Sequence, residues 1–200
     1  MSDNQGPGSW TPDGAVLLFA STAGIHAWLR ESGGDTASET AEVIVPKPEG
    51  VTIRHPEFSP DGQWFVYMSN EVGTLELYAN PYPVQVGARQ RITTETGSAP
   101  MWVRNGRELV FQTIGVRLEA IEITTEPTLT RTNPTPLFLE REVGANLENG
   151  IVRNYDVTAG GERFLVVSDN PGGINSDASP AQINIVLNWF EELKERVPVP

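Results

Sequence analysis

The side chains of this chain that could do chemistry are few and scattered. The two histidines, His26 and His55, lie far apart, and none of the 200 residues is a cysteine. Without thiols the chain can form no disulfide, cysteine nucleophile or thiolate-bound metal site. His26 falls in a predicted strand, which favours a structural role over metal binding. We therefore predict no metal site and no cofactor.

The serine and acidic residues show no catalytic arrangement either. No Gly-x-Ser-x-Gly segment marks a hydrolase nucleophile. Glu191 and Glu192 are neighbours on a predicted helix, so their carboxylates point apart and cannot flank one bond. Asp13 and Asp61 each stand alone in a Pro-Asp-Gly turn, which supplies too few oxygens for calcium and suits turn capping better. The sequence predicts a protein that is not an enzyme.

The charge balance excludes further classes of partner. The chain has 14 Lys and Arg against 26 Asp and Glu, a net charge of −12, and its arginines are scattered. Nucleic acids require clustered cations, so we expect neither nucleic acid nor an anionic membrane as a partner. The longest apolar run, residues 15–20, is too short to span a bilayer, and the first residues show no secretory signal. We expect no membrane insertion of this chain.

A repeat in the sequence indicates the fold that positions these residues. An aromatic residue stands shortly before a turn at positions 10, 58, 102 and 155, in steps of 48, 44 and 53 residues. The turns are Thr-Pro-Asp-Gly, Ser-Pro-Asp-Gly, Val-Arg-Asn-Gly and Thr-Ala-Gly-Gly. Proline, Asp or Asn, and glycine favour tight turns between strands. The period is close to the ~40–50 residues of a four-stranded propeller blade.

The sequence therefore predicts an all-β protein, a β-propeller of about four blades that are four-stranded antiparallel sheets. We expect one domain over residues 1–200, with repeats at approximately residues 9–50, 51–97, 98–145 and 146–189. A short C-terminal helix is predicted over residues 190–197. The predicted strands are Gly24–Leu29, Glu42–Val45, Trp64–Met68, Leu75–Ala79, Arg89–Thr93, Leu109–Gln112, Arg117–Ile123, Pro136–Leu139, Phe164–Val167 and Ile183–Trp189.

Tryptophans at related repeat positions are predicted to fill the core between blades. Their fixed place in the repeat favours packing over a platform that stacks a carbohydrate or another ligand. They are Trp10, Trp64, Trp102 and Trp189.

The repeat also places polar side chains at a channel mouth, where propellers usually bind ligands. Arg54, His55 and Glu57 come just before Phe58, in the predicted innermost strand of the second blade. In the fourth repeat, Arg153 and Asn154 hold the matching position. A polar loop that satisfies its own backbone also accounts for these residues. A small polar ligand, if one binds, is expected here.

Several segments of these repeats resemble a known family of proteins. Phe58-Ser-Pro-Asp-Gly, Tyr67-Met-Ser-Asn-Glu, Arg91-Ile-Thr and Trp102-Val-Arg-Asn-Gly resemble the TolB-type, WD-repeat-like β-propellers. The ending, Asp156-Val-Thr-Ala-Gly-Gly-Glu-Arg-Phe-Leu and Ile183-Asn-Ile-Val-Leu-Asn-Trp, resembles the propellers that follow a transmembrane segment in bacterial receptor-type serine/threonine kinases. The resemblance implies a periplasmic or extracytoplasmic sensing or interaction module. No kinase motif occurs in this chain.

The resemblance also implies more blades than this length provides, since such propellers usually have six or seven. Four blades can close alone, but an open arc would expose apolar blade faces. A homodimer through those open faces is then expected.

Three functions remain open from the sequence. The first is a non-catalytic module that binds a protein partner or a small polar ligand, as the C-terminal part of a kinase-linked propeller. The second is an accessory propeller of a peptidase or glycan-degrading enzyme, and the third is a purely structural remnant.

Overall fold

The computed structural model describes most of the first 166 residues. The chain divides into a unit over Met1–Asp169 and a second over Asn170–Pro200. All described residues belong to the first unit, so the strand predicted at 183–189, the helix predicted at 190–197 and Trp189 lie outside them. The described residues are 6–30, 41–113, 118–126, 128–137, 153, 155–158 and 160–166.

Two four-stranded antiparallel sheets follow one another in the first half of the chain. In each sheet the strands lie side by side in chain order. Blade 1 consists of β1 (Gly6–Trp10), β2 (Val16–Ala20), β3 (Gly24–Leu29) and β4 (Glu42–Pro46). Blade 2 consists of β5 (Ile53–Phe58), β6 (Trp64–Ser69), β7 (Glu76–Pro81) and β8 (Gln90–Arg91).

Two further sheets follow. Blade 3 consists of β9 (Ser98–Val103), β10 (Glu108–Gln112), β11 (Leu118–Thr124) and β12 (Thr130–Arg131), and β13 (Thr135–Pro136) also pairs with β11. A 3-10 turn over Arg104–Gly106 joins β9 to β10. The fourth sheet contains β14 (Tyr155–Val157) and β15 (Phe164–Val166) among the residues described. The all-β prediction of antiparallel blades is confirmed. No helix in these ranges is long and apolar enough to cross a bilayer.

The predicted turns close as the repeat requires. Each is held by a backbone hydrogen bond between residues three apart in sequence. The bonds run from Gly14 N to Thr11 O (2.8 Å), Gly62 N to Ser59 O (2.8 Å), Arg107 N to Arg104 O (3.3 Å) and Gly161 N to Thr158 O (2.7 Å).

Neighbouring turns also touch one another through their glycines. A Cβ added to Gly62 would lie 3.0 Å from the Pro12 Cδ of the preceding turn. A Cβ added to Gly106 would likewise lie 3.1 Å from the Pro60 Cδ of the turn before it. The turns of successive blades are therefore packed against each other at one end of the strands.

The apolar core lies between successive blades. We call the side of a blade that faces the next blade its forward face and the opposite side its back face. Forward faces are mainly aliphatic, and back faces carry most of the large aromatic side chains. Between blades 1 and 2, Val16, Leu18, Ile25, Ala27 and Val45 meet Phe58, Phe65, Tyr67 and Tyr78. Between blades 2 and 3, Val66, Met68, Leu77, Ala79 and Ile92 meet Trp102, Leu109, Phe111, Ile121 and Ile123.

The prediction that the tryptophans fill the core is right for Trp102 and wrong for Trp10. Trp102 is 8% exposed, because it lies on a back face that blade 2 covers. Trp64 is half-buried and packs against the same cluster. Trp10 is 44% exposed, because it lies on the back face of blade 1, and no sheet among the described residues covers that face.

Candidate functional site

Glu57 and Arg153 form an ion pair that reaches across blade 3. Glu57 is the penultimate residue of β5, and Arg153 lies two residues before β14. Arg153 Nη1 donates to Glu57 Oε2 at 2.7 Å and to Pro100 O at 3.3 Å. Glu57 Oε1 accepts the backbone N–H of Trp102 at 3.0 Å. One carboxylate therefore joins blade 2 to blade 3 and to the start of the fourth sheet.

Burial dominates the electrostatics of this pair. The Glu57 side chain is only 18% exposed, and the loss of water raises the pKa of its carboxyl group. The Arg153 guanidinium and the Trp102 N–H lower that pKa, but by less. Because each carboxylate oxygen already accepts a hydrogen bond, we interpret the pair as a structural link between blades.

A neutral version of the same link joins blades 1 and 2. Ser9 precedes Trp10 as Glu57 precedes Phe58, and its Oγ accepts the backbone N–H of Phe58 at 2.6 Å. In both cases a polar side chain, one residue before the repeat aromatic, binds the next blade. We did not predict this role from the sequence. The signal that could have revealed it is the polar residue directly before an aromatic in each of two repeats.

His55 occupies a backbone position that the fold itself creates. Its φ is 54°, in the left-handed region that non-glycine residues rarely adopt. Ala99 has φ 48° at the same distance before the aromatic of blade 3. Both residues lie in an innermost strand beside a shift of register. Since alanine carries no functional group, this conformation is a property of the repeat and does not single out His55 as a binding residue.

Arg54 lies apart from the Glu57 ion pair. It lines a cavity of about 200 Å³ between the end of blade 1 and the start of β5. Lys47 lines the same cavity, and its Nζ donates to Val51 O at 3.0 Å. The other lining residues are small, polar or aliphatic: Gly6, Ala20, Ser21, Thr22, Val51, Thr52 and Ile53. The predicted cluster is thus divided, with Glu57 and Arg153 together, Arg54 elsewhere and Asn154 outside the described residues.

The Arg54 guanidinium makes no hydrogen bond or ion pair with the residues that the structure describes. Its side chain is half-buried, so it is only partly available to water. A half-buried cation without an anionic partner favours the entry of an anion into the cavity. Among the four predicted mouth residues that the structure describes, Arg54 is therefore the one that faces a cavity with an unpaired charge.

The Pro-Asp-Gly aspartates cap their own turns, as predicted. Asp13 Oδ1 accepts the Thr11 hydroxyl at 2.6 Å and the Ala15 N–H at 3.0 Å, and these bonds lower the pKa of its carboxyl group. Burial raises the pKa of the Asp61 carboxyl group. Hydrogen bonds from Ser59, Thr125 and the Gln63 N–H lower that pKa by a larger amount, so it lies below its ordinary value. In the described ranges, no three His, Asp or Glu side chains are grouped as metal ligands would be.

Comparison with known proteins reveals structural neighbours but no family. No protein-family model matches the sequence, and no curated protein matches it. The chain is similar to the solved structure of a proposed 6-phosphogluconolactonase from Bacteroides uniformis. The identity is 19% and the TM-score 0.52, over 80% of this chain and 46% of that one. For an oligogalacturonate lyase in complex with manganese, the identity is 16% and the TM-score 0.51, over 79% of this chain and 43% of the lyase. For a proposed TolB from Agrobacterium tumefaciens, the identity is 19% and the TM-score 0.47, over 69% of this chain and 50% of that one.

These likenesses concern the fold alone. The lyase is a propeller-type protein. Its likeness to this chain, together with the successive antiparallel blades, shows that this chain has the β-propeller fold. A TolB structure is among the neighbours of the chain. The chain spans half or less of the length of each of these structures. The predicted fold class is confirmed.

Proposed function

We propose that this chain is a non-catalytic β-propeller module that senses a small anionic ligand in the cavity between blades 1 and 2. The observation that carries the proposal is the Arg54 guanidinium, which lines that cavity without an ion-pair partner among the described residues. Lys47 adds a second positive charge to the lining. Among the described residues the lining contains no Asp or Glu, so these two cations meet no carboxylate within the cavity, in a chain of net charge −12.

The size and chemistry of the cavity limit what it would hold. A volume of about 200 Å³ is smaller than the ~300–1,000 Å³ of sites for drug-sized ligands. It suits a ligand of a few heavy atoms with one or two carboxylate or phosphate groups. The guanidinium offers paired donors to such a group, and Thr52 adds a hydroxyl to the lining.

For the whole protein, we infer a larger TolB-like propeller linked to a bacterial protein kinase, with this chain as its C-terminal part. The kinase-like ending at residues 156–165 and 183–189 supports this reading. The chain also spans only 46% of the first neighbour and 43% of the lyase. In this setting the propeller would be a periplasmic or extracytoplasmic sensor for ligands or protein partners.

The second candidate is an accessory propeller of a peptidase or glycan-degrading enzyme. The likeness to an oligogalacturonate lyase is the observation that favours it. The sequence in frame upstream of Met1 distinguishes the two proposals. A transmembrane helix and a kinase domain support the first candidate, whereas a hydrolase or lyase domain supports the second.

Ligand binding is tested by following amide chemical shifts while succinate or inorganic phosphate is added. We expect shifts at Ser21, Thr22 and Thr52. Arg54→Gln should weaken binding about tenfold or more, which corresponds to ~1.4 kcal/mol. Arg131→Gln removes one positive charge from a distant strand and is the matched control, with no effect expected. Shifts spread over the surface, or equal losses in both variants, would show that the cavity is not the binding site.

A further inference from the structure

We propose that a second cavity, between blades 2 and 3, binds a neutral saccharide. This inference does not depend on the anion site at Arg54, because the two cavities share no lining residue. The second cavity has a volume of about 480 Å³, more than twice that of the first. It lies within the ~300–1,000 Å³ that is usual for small-molecule sites. It therefore has room for a short saccharide.

The cavity lies at the end of the strands where the tight turns are. On blade 2, Trp64 begins β6 and pairs with Pro81 at the end of β7. The loop over residues 82–89 joins β7 to β8 and contributes further lining. On blade 3, the lining residues belong to the segment that follows β11. A ligand in this cavity would therefore contact two blades at once.

Two hydrogen bonds fix the wall that blade 3 supplies. Gln63 Nε2 donates to Glu126 Oε1 at 2.8 Å. The Thr125 hydroxyl donates to Asp61 Oδ2 at 2.7 Å. Since Gln63 and Asp61 belong to the Pro-Asp-Gly turn region of blade 2, these bonds hold the lining segment of blade 3 directly against blade 2. A site whose walls are already fixed loses little entropy when a ligand binds.

Trp64 supplies an aromatic surface that the repeat does not require. It directly precedes Phe65, which pairs with the repeat aromatic Phe58. The residues in the same register of blades 1 and 3 are Val16 and Glu108, so an aromatic side chain here is particular to blade 2. Trp64 packs against the core between blades 2 and 3 but remains half-buried beside the cavity. A flat indole suits the apolar C–H face of a sugar ring.

The other polar side chains of the lining are mostly uncharged. An amide both donates and accepts hydrogen bonds, and so does each hydroxyl group of a sugar. Gln85 is exposed and Gln90 is half-buried, and neither side chain forms a hydrogen bond with the residues that the structure describes. Their amides are therefore available to a ligand. The uncharged polar residues of the lining are Gln63, Gln85, Gln90, Thr125 and Thr128.

The charged groups of the lining are already engaged within the protein. Arg89 forms an ion pair with Glu71, and its guanidinium lies over the Tyr78 ring, 4.1 Å from the centroid. Glu126 accepts the amide hydrogen bond described above. The lining thus contains one positive and one negative charge, each with a partner. Unlike the Arg54 cavity, this one has no unpaired cation to attract an anion, which favours an uncharged polyhydroxyl ligand.

The test is a titration of the full chain, followed through amide and indole N–H chemical shifts. The probes are glucose, galactose, mannose, N-acetylglucosamine, maltose and cellobiose. We expect at least one of them to bind with a millimolar or lower Kd and to move the Trp64 indole signal. The Trp10 indole is the internal control, because Trp10 is 44% exposed but does not line the cavity. Glucuronate, a glucose ring with a carboxylate, should bind no more tightly than glucose.

Two substitutions and a matched control locate the site. Trp64→Leu keeps an apolar side chain against the core and should weaken binding about tenfold. Gln85→Ala changes an exposed residue, so it should preserve the fold and weaken binding severalfold. Val86→Ala should have no effect, because Val86 is the next residue, fully exposed and outside the lining. Circular dichroism of each variant establishes that it is folded.

Several results would overturn the proposal. One is a Trp64 indole signal that none of the six sugars moves, or that moves only together with the Trp10 signal. Another is equal weakening of binding by Gln85→Ala and Val86→Ala. Tighter binding of glucuronate, or of a proline-rich peptide, than of every neutral sugar would show that the cavity serves another class of ligand. Because the six sugars carry no charge, their titration is separate from that of the Arg54 cavity with succinate and phosphate.

Discussion

The back faces of blades 1 and 3 are similar in chemistry and opposite in exposure. Both place a tryptophan, a leucine and a phenylalanine at the same register positions of the first two strands. Trp102 is 8% exposed in blade 3, whereas Trp10 is 44% exposed in blade 1. The difference arises because blade 2 covers the face of blade 3. The sequence of a blade therefore determines which face is apolar, but its neighbour determines whether that face is buried.

The polar links between blades show a second contrast. Ser9 joins blades 1 and 2 with a neutral hydroxyl, whereas Glu57 joins blades 2 and 3 with a buried carboxylate. The hydroxyl satisfies one backbone N–H at little desolvation cost. The carboxylate binds two partners, but burial opposes its charge. The same repeat position thus gives a pH-independent link in one interface and a titrating link in the next.

The largest difference between the blades is expected from two phenylalanines. Phe111→Ala removes a fully buried ring and should lower the free energy of unfolding by about 3–5 kcal/mol. Phe19→Ala removes a half-buried ring from the exposed face and should cost only about 1–2 kcal/mol. Urea unfolding measures both. Equal losses would mean that the back face of blade 1 is as deeply buried as that of blade 3.

Glu57 provides the next largest effect. Glu57→Ala leaves the Trp102 N–H and the Arg153 guanidinium without this acceptor and should cost about 1–3 kcal/mol. Glu57→Gln retains an acceptor oxygen and should cost less. Ser9→Ala breaks the neutral link and should cost about 1 kcal/mol at every pH. Urea unfolding of the three variants gives these values.

The pH dependence distinguishes the two links. Because the folded pKa of Glu57 is raised, the folded chain holds a proton between the ordinary and the raised pKa that the unfolded chain has released. The contribution of Glu57 to the free energy of unfolding is therefore fully present below the ordinary pKa and falls as pH rises through that window. Glu57→Gln should remove this slope, and Ser9→Ala should keep it. A slope that survives in Glu57→Gln would assign the titration to another group.

Much of the fold was predictable because the repeat encodes it locally. Proline, Asp and Gly mark the turns, and β-rich runs after them mark strands such as β3, which has the predicted bounds Gly24–Leu29. Side chains that complete the backbone pairing are harder to predict. Thr93 was predicted to lie in a strand, but its hydroxyl accepts the Leu77 N–H, and β8 contains only Gln90–Arg91. Whether a side chain takes the place of a backbone partner in this way depends on interatomic distances, which the sequence alone does not give.

The candidate site was predictable only in part for the same reason. Counting from the repeat aromatics placed polar residues near the innermost strands, which is where Arg54 and Glu57 lie. The sequence did not reveal that Arg153 pairs with Glu57, 96 residues away, because their contact requires the intervening blade 3 to be in place. The exposure of Trp10 was missed because it depends on a neighbour and not on the residue itself.

The smallest expected effect on stability comes from two glycines that hold the same position in the turns of blades 1 and 2. Gly14 and Gly62 have φ values of 68° and 69°, so alanine at either position carries the same left-handed strain, about 1 kcal/mol. Only at Gly62 would the new Cβ also press on Pro12 Cδ, 3.0 Å away. Gly62→Ala should therefore cost about 1 kcal/mol more than Gly14→Ala, a difference of ~2–4 °C in Tm for a chain of this size. Equal losses in the two variants would show that the contact with Pro12 adds no cost at Gly62.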